Sequence, residues 1–213
     1  MTIFRVFTRL LGMTAVVLLA NCATRPPVAT IGPDGKPVNP YPPGTYEHFK
    51  ADPSYPKTYA VWKNEALLAH TDPSNSHIKI ELSTQRGLLM NGDQVVMDYP
   101  ICSGTKSRPT PKGTFHILEK LVDKRSNRYG KIYDAEGDVV NGNADVQTDP
   151  VPEGGRFVGA AMPYWMRLTY DGVGHHIGPV HRYPASHACV RGPRNAIPLV
   201  YSKVKDGTRV DIE

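Results

Sequence analysis

The sequence has no dense block of Lys and Arg, so a nucleic-acid surface finds no support despite a net charge of +5. That charge argues only for a weak attraction to acidic surfaces or polymers. There is no internal repeat, which excludes solenoid and propeller architectures. The longest apolar run, 10–20, falls short of the roughly 20 residues that a membrane-spanning helix needs. Histidines at i, i+4, the spacing that best supports zinc on a helix, are absent. Cysteine is scarce, with three in 213 residues, too few for a disulfide scaffold. Proline (20) and glycine (19) are plentiful, which favours turns and short strands over long helices.

The apolar run follows Arg5 and Arg9 and ends in Leu19-Ala20-Asn21-Cys22, so residues 1–22 read as an export signal. The end of that run resembles a bacterial lipobox, although Asn21 stands where a small residue is usual. The resemblance implies lipidation of Cys22 and membrane attachment through the lipid. Ala23, in place of an aspartate, then favours the outer membrane, with the protein facing the periplasm. Residues 23–57 carry nine prolines and few aliphatic residues, and read as an extended tether. Residues 58–76 read as an N-terminal extension with a short helix over 58–70, whose Trp62, Leu67 and Leu68 are available for packing.

From His77 onward the pattern is that of strands. Ile78, Ile80 and Leu82 alternate with His77, Lys79 and Glu81. Asn91-Gly92 between apolar runs predicts a tight hairpin. Further strands are expected at 113–118, 164–168 and 208–212. Residues 121–160 are polar and Gly-rich and predict a long ordered loop or lid beside a site. The fold class is mainly β, with one or two short helices at the edges.

Chemistry concentrates in GHHIGPVHRYPASHACVRGP, 174–193, which holds four of the eight histidines and Cys189. Cys189 is a candidate nucleophile, and residue types alone leave three plainer readings beside that one. Cys189 is a core cysteine, the cluster is a zinc site, or the histidines lie on a polar surface. A bridge from Cys102 to Cys189 would silence a nucleophile; a buried, inert Cys102 and a free Cys189 are expected instead. Gly178, Pro179 and Pro184 demand a loop, which can fold His176 back onto Cys189.

This stretch resembles the signature of the L,D-transpeptidases, the YkuD-type catalytic domain. The signature is a histidine, a loop, then Ser-His-Gly-Cys, an aliphatic residue and Arg or Asn. Here it reads His176, then Ser186-His187-Ala188-Cys189-Val190-Arg191. Three further runs agree in order: the hairpin beginning at IKIELSTQRGLLMNG, TPKGTFHI at 110–117 and MPYWMRLT at 162–169. The resemblance covers 77–213 and implies a YkuD-like β-sandwich or open barrel. It implies Cys189 as nucleophile, His176 as proton donor and acceptor, and the backbone carbonyl of Ile177 as the group orienting the imidazole. Ser186 and His187 would support the loop, and Arg191 would hold the loop or meet a substrate carboxylate. His175 is a flank.

Ala188 departs from the family's glycine. Backbone N–H groups here and at Cys189 would stabilise an oxyanion, and a positive φ at Ala188 would cost about 1 kcal/mol. Pro198 falls where a short helix is expected, and either shortens or begins it.

The chemistry implied is acyl transfer on peptidoglycan stem peptides through a thioester, with no metal and no cofactor. The acceptor is a second stem or an amine-bearing wall protein. Two rivals stay open: a hydrolase on the same scaffold, and a non-catalytic, lipid-tethered wall-binding protein.

Overall fold

The computed structural model describes residues 30–213 apart from 34 and 36; the stretch expected to be an export signal, with Cys22, lies outside the described residues. Two units are distinct, one ending at Pro40 and one running from Tyr41 to Glu213. In the first, a two-residue ladder joins β1 (Thr30–Ile31) to β2 (Pro37–Val38).

The second unit opens with α1 (Tyr46–Ala51), capped by Thr45, whose hydroxyl oxygen accepts the His48 N–H. It is followed by β3 (Trp62–Lys63) and α2 (Glu65–Ala69), which is capped by Asn64. The alternating stretch forms β4 (Ser76–Glu81), with Ile78 and Ile80 fully buried. β5 (Arg86–Asn91) and β6 (Gln94–Pro100) form the expected hairpin, but its turn sits one residue later than predicted. Asn91 pairs with Gln94, leaving Gly92 (φ 53) and Asp93 as the two loop residues. A glycine with positive φ at the first loop position suits a II′ turn.

β7 (Gly113–His116) and the last strand, β15 (Arg209–Ile212), complete a six-stranded sheet in the order β3-β6-β5-β4-β15-β7. β15 runs parallel to β4, with Val210 opposite Ile78. A four-stranded sheet has the order β14 (Val190–Gly192), β13 (Gly174–Ile177), β12 (Trp165–Arg167), β8 (Glu119–Leu121). Its Met166, Ile177 and Val190 join Ile80, Leu89, Met97 and Val210 of the larger sheet in one hydrophobic core. Neither sheet closes on itself. The architecture is mainly β, as expected, with three short helices among the described residues rather than one or two. The third, α3 (Ile197–Ser202), takes Pro198 in its first turn, where a missing N–H is harmless, so this proline begins the helix.

Two expectations about irregular regions are corrected. Most of 121–160 is not a loop. β9 (Arg125–Tyr133) lies between β10 (Val139–Asp145) and β11 (Arg156–Ala161) in a separate three-stranded antiparallel sheet. The tether reading of 23–57 fails beyond Pro40. The Tyr46 and Tyr55 hydroxyls donate to the Asp98 carboxylate at 3.0 and 2.9 Å. Asp98 is paired with the wholly buried Arg86, whose guanidinium also donates to the carbonyls of Thr58 and Ala60. Trp62 and Lys63 pair with β6 and Asn64 caps α2, so the helix expected over 58–70 is confined to Glu65–Ala69. Among the described residues no helix is long and apolar enough to cross a membrane.

Candidate active site

β13 and β14 run parallel, with His175 opposite Val190 and His176 opposite Arg191. Side chains alternate along a strand, so Gly174, His176 and Arg191 share one face, and Cys189, just before β14, lies beside the Gly174 backbone and lines the same cleft as His176 and Arg191. His175 and Val190 share the other face, which is buried in the core. The register thus separates two adjacent histidines that composition cannot tell apart.

His176 and Cys189 open onto a common cleft of about 720 Å³. His176 Nδ1 lies 2.7 Å from the Ile177 carbonyl oxygen. A carbonyl only accepts, so Nδ1 carries the hydrogen and Nε2 keeps its lone pair. Burial is the main cause that lowers the His176 pKa to about 4; the Ile177 hydrogen bond opposes it, and His175 and Arg191 add to the lowering. The imidazole is therefore neutral at pH 7. The half-buried Cys189 thiol is pushed up by burial, against the Gly174 N–H and Arg191, which favour the thiolate. Its S–H donates to the Gly172 carbonyl at 3.7 Å. At rest the cleft holds a neutral thiol and a neutral imidazole.

His175 is fixed at both nitrogens, by the Val190 carbonyl at 2.8 Å and the Tyr99 hydroxyl at 3.0 Å. It has no exposure and is a structural residue. Cys102 is buried and free, its S–H donating to the Tyr183 carbonyl at 3.3 Å. Its backbone exchanges two hydrogen bonds of 2.9 Å with Arg191, which ties β14 to the end of β6. Cys189 is likewise free.

The loop before Cys189 is held from both ends. The Ser186 hydroxyl donates to the Cys189 carbonyl, and the Ser186 N–H donates to the Ser103 carbonyl at 2.9 Å. Ala188 adopts φ 80, the left-handed conformation in which a glycine is free and an alanine costs about 1 kcal/mol. The His187 ring stacks on Tyr129 of β9, with centroids 4.3 Å apart and planes at 12°. Arg108 and Arg128 each lie 5.1 Å from the centre of that Tyr129 ring, and Arg128 forms a two-pronged pair with Asp145. The β9–β11 sheet is therefore docked against the cysteine loop and forms one wall of the cleft. Arg191 lines the cleft and forms no ion pair among the described residues, so it is available to an anionic group. No cluster of three His, Cys, Asp or Glu suited to a metal ion occurs among the described residues.

A family model for the L,D-transpeptidase catalytic domain (YkuD) matches residues 75–212. The chain belongs to the L,D-transpeptidase family. Solved structures with a similar fold include an L,D-transpeptidase from Mycobacterium smegmatis, 18% identical, with a TM-score of 0.49, covering 65% of this chain and 58% of that one. An LD transpeptidase LdtMt1 in complex with imipenem is 19% identical at a TM-score of 0.49, covering 65% and 59%. An L,D-transpeptidase (Yku) from Stackebrandtia nassauensis is 15% identical at 0.48, covering 78% and 63%. The chain thus spans less than two thirds of each of these proteins. No curated protein matches it.

Within this L,D-transpeptidase domain, three supports of the site carry no signal of their role in the sequence. Trp165 is buried and lines the cleft, its ring 5.9 Å from that of His176. Tyr129 supplies the stacking partner of His187 from a segment expected to be a loop. Thr110 meets the cysteine loop from 78 residues away through a hydroxyl that the TPKGTFHI run carries without marking.

Proposed function

We propose that this chain is a peptidoglycan L,D-transpeptidase working through a Cys189 thioester. The observation that carries the reading is a single cleft onto which the Cys189 thiol and a neutral His176, oriented by Ile177, both open. Cys189 Sγ attacks the carbonyl carbon of the L-centre of the third residue in a tetrapeptide stem, and His176 Nε2 takes the thiol proton. The oxyanion is met by backbone N–H groups at Ala188 and Cys189. The C–N bond breaks, His176 returns the proton to the departing D-alanine amine, and a thioester remains. A second stem's amine, or that of a wall protein, attacks the thioester carbonyl and passes its proton through His176 to the leaving Cys189 sulfur. The thioester divides one difficult amide exchange into two easier steps. Arg191 binds a stem carboxylate, a role that suits its planar fork and its lack of an ion-pair partner among the described residues. Cys22 carries the lipid that holds the domain in the periplasm, at the outer membrane.

The test is intact mass after incubation with imipenem, the ligand named for LdtMt1. Wild type gains one covalent adduct and Cys189→Ala gains none. An unmodified wild type, or an adduct that survives the substitution, refutes the nucleophile. With a disaccharide-tetrapeptide, cross-linked dimers are expected; shortened monomers alone would replace transfer with hydrolysis.

A further inference from the structure

We propose that Thr110 is a positioning residue for the acyl-transfer step: its hydroxyl clamps the Ala188–Cys189 peptide so that the Cys189 N–H faces the cleft as an oxyanion donor. Thr110 is 5% exposed and does not line the cleft. Its Oγ1 donates to the Ala188 carbonyl at 2.7 Å and accepts the Gly104 N–H at 2.8 Å. A hydroxyl has one hydrogen to give and lone pairs to receive, and both capacities are used here. In a planar trans peptide the C=O and the following N–H point in opposite directions. Holding the Ala188 carbonyl on the buried, Thr110 side therefore turns the Cys189 N–H toward the other side. That side is the cleft, which Ala188 and Cys189 both line.

The same contact answers the strain at Ala188. An alanine at φ 80 is kept there only if its surroundings over-determine it. The Ala188 carbonyl is taken by Thr110 and the Cys189 carbonyl by Ser186, so the peptide is fixed on both flanks. Gly104 makes the approach possible. A Cβ there would meet the Ala188 Cα at 2.7 Å and the Arg108 carbonyl oxygen at 2.2 Å. The 103–110 loop can lie this close to 186–188 only with glycine at 104, and the Thr105 N–H seals the contact on the Ser186 carbonyl at 3.0 Å.

This role rests on Cys189 being the acylated residue. The experiment compares two reactions of one thiol. Acylation by imipenem needs an oxyanion donor; alkylation by iodoacetamide displaces iodide and needs none. In Thr110→Val, acylation should fall at least about ten-fold, within the loss known for removing such donors, while alkylation stays within about two-fold of wild type. Thr110→Ser, which keeps the hydroxyl, should restore acylation to within about three-fold. If Thr110→Val does not fold, Thr110→Ala against Thr110→Ser makes the same comparison. Wild-type acylation rates in the hydroxyl-free variants, or acylation and alkylation falling together, would overturn the positioning role. A wild type that is alkylated but never acylated would instead overturn the proposed function itself.

Discussion

At the scale of single residues, the two neighbouring histidines show how one physical cause gives different outcomes. Burial pushes both His175 and His176 down to about 4. His175 spends both nitrogens on structure, whereas His176 keeps Nε2 free for chemistry. The unfolded chain holds these imidazoles near their ordinary value of 6.5, so between about 4 and 6.5 it binds more protons than the folded protein does. Stability from this source is complete above 6.5 and is lost as pH falls through that window. In urea unfolding followed from pH 7 to pH 4.5, His176→Asn should flatten the pH dependence by about one proton, roughly 1.4 kcal/mol per pH unit at most. An unchanged slope would contradict the buried neutral imidazole. The motif that brackets Cys189 and His176 was legible in the sequence as a family resemblance, and the fold brings both residues to one cleft. Thr110 was not legible, because a threonine hydroxyl acting on a distant carbonyl leaves no local pattern. Ala188 lies between: the sequence named the departure from glycine, but only the backbone, at φ 80, shows that strain accompanies it.

At the scale of elements, β3 fell inside an expected helix and β8, β13 and β14 were left unmarked, while β4 to β7, β12 and β15 could be read from alternation and turn chemistry, with an error of one residue at the Gly92 turn. The β9–β11 sheet could not. Its β9 reads Arg-Ser-Asn-Arg-Tyr-Gly-Lys-Ile-Tyr, with only Ile132 fully buried, so no alternating apolar face announces a strand. What holds it is a long-range ladder on both sides of β9 and the stack of Tyr129 on His187. Such an aromatic pair contributes about 0.5–1.5 kcal/mol beyond its buried area. Tyr129→Ala should therefore loosen the docking of this sheet on the cysteine loop. KM for a tetrapeptide stem is expected to rise about three- to ten-fold, and iodoacetamide should reach Cys189 faster. A variant with wild-type KM and wild-type alkylation would show that the sheet is no working wall of the cleft.

At the scale of the molecule, the domain that the sequence patterns outline and the unit that folds have different beginnings. The family resemblance starts near 75, but the folded unit starts at Tyr41. The difference was hidden because a proline-rich stretch with few aliphatic residues looks like a linker. Its anchors are instead aromatic and polar. Tyr46 and Tyr55 donate to Asp98, the Phe49 and Tyr55 rings lie 5.3 and 5.1 Å from the Arg86 guanidinium, and Leu68 enters the core. The same stretch reaches the site's neighbourhood: Arg182, in the loop between His176 and Cys189, donates to the Pro56 carbonyl at 2.7 Å and also to the carbonyls of Tyr55 and Gln85. A chain of residues 75–213 would uncover the Arg86–Asp98 pair, strip β6 of its edge partner β3 and empty the place of Leu68. Loss of a buried leucine alone costs about 2–5 kcal/mol. We expect 75–213 to unfold at least about 3 kcal/mol below 41–213 in urea. Equal stability of 75–213 and 41–213 would return the N-terminal stretch to the standing of a tether.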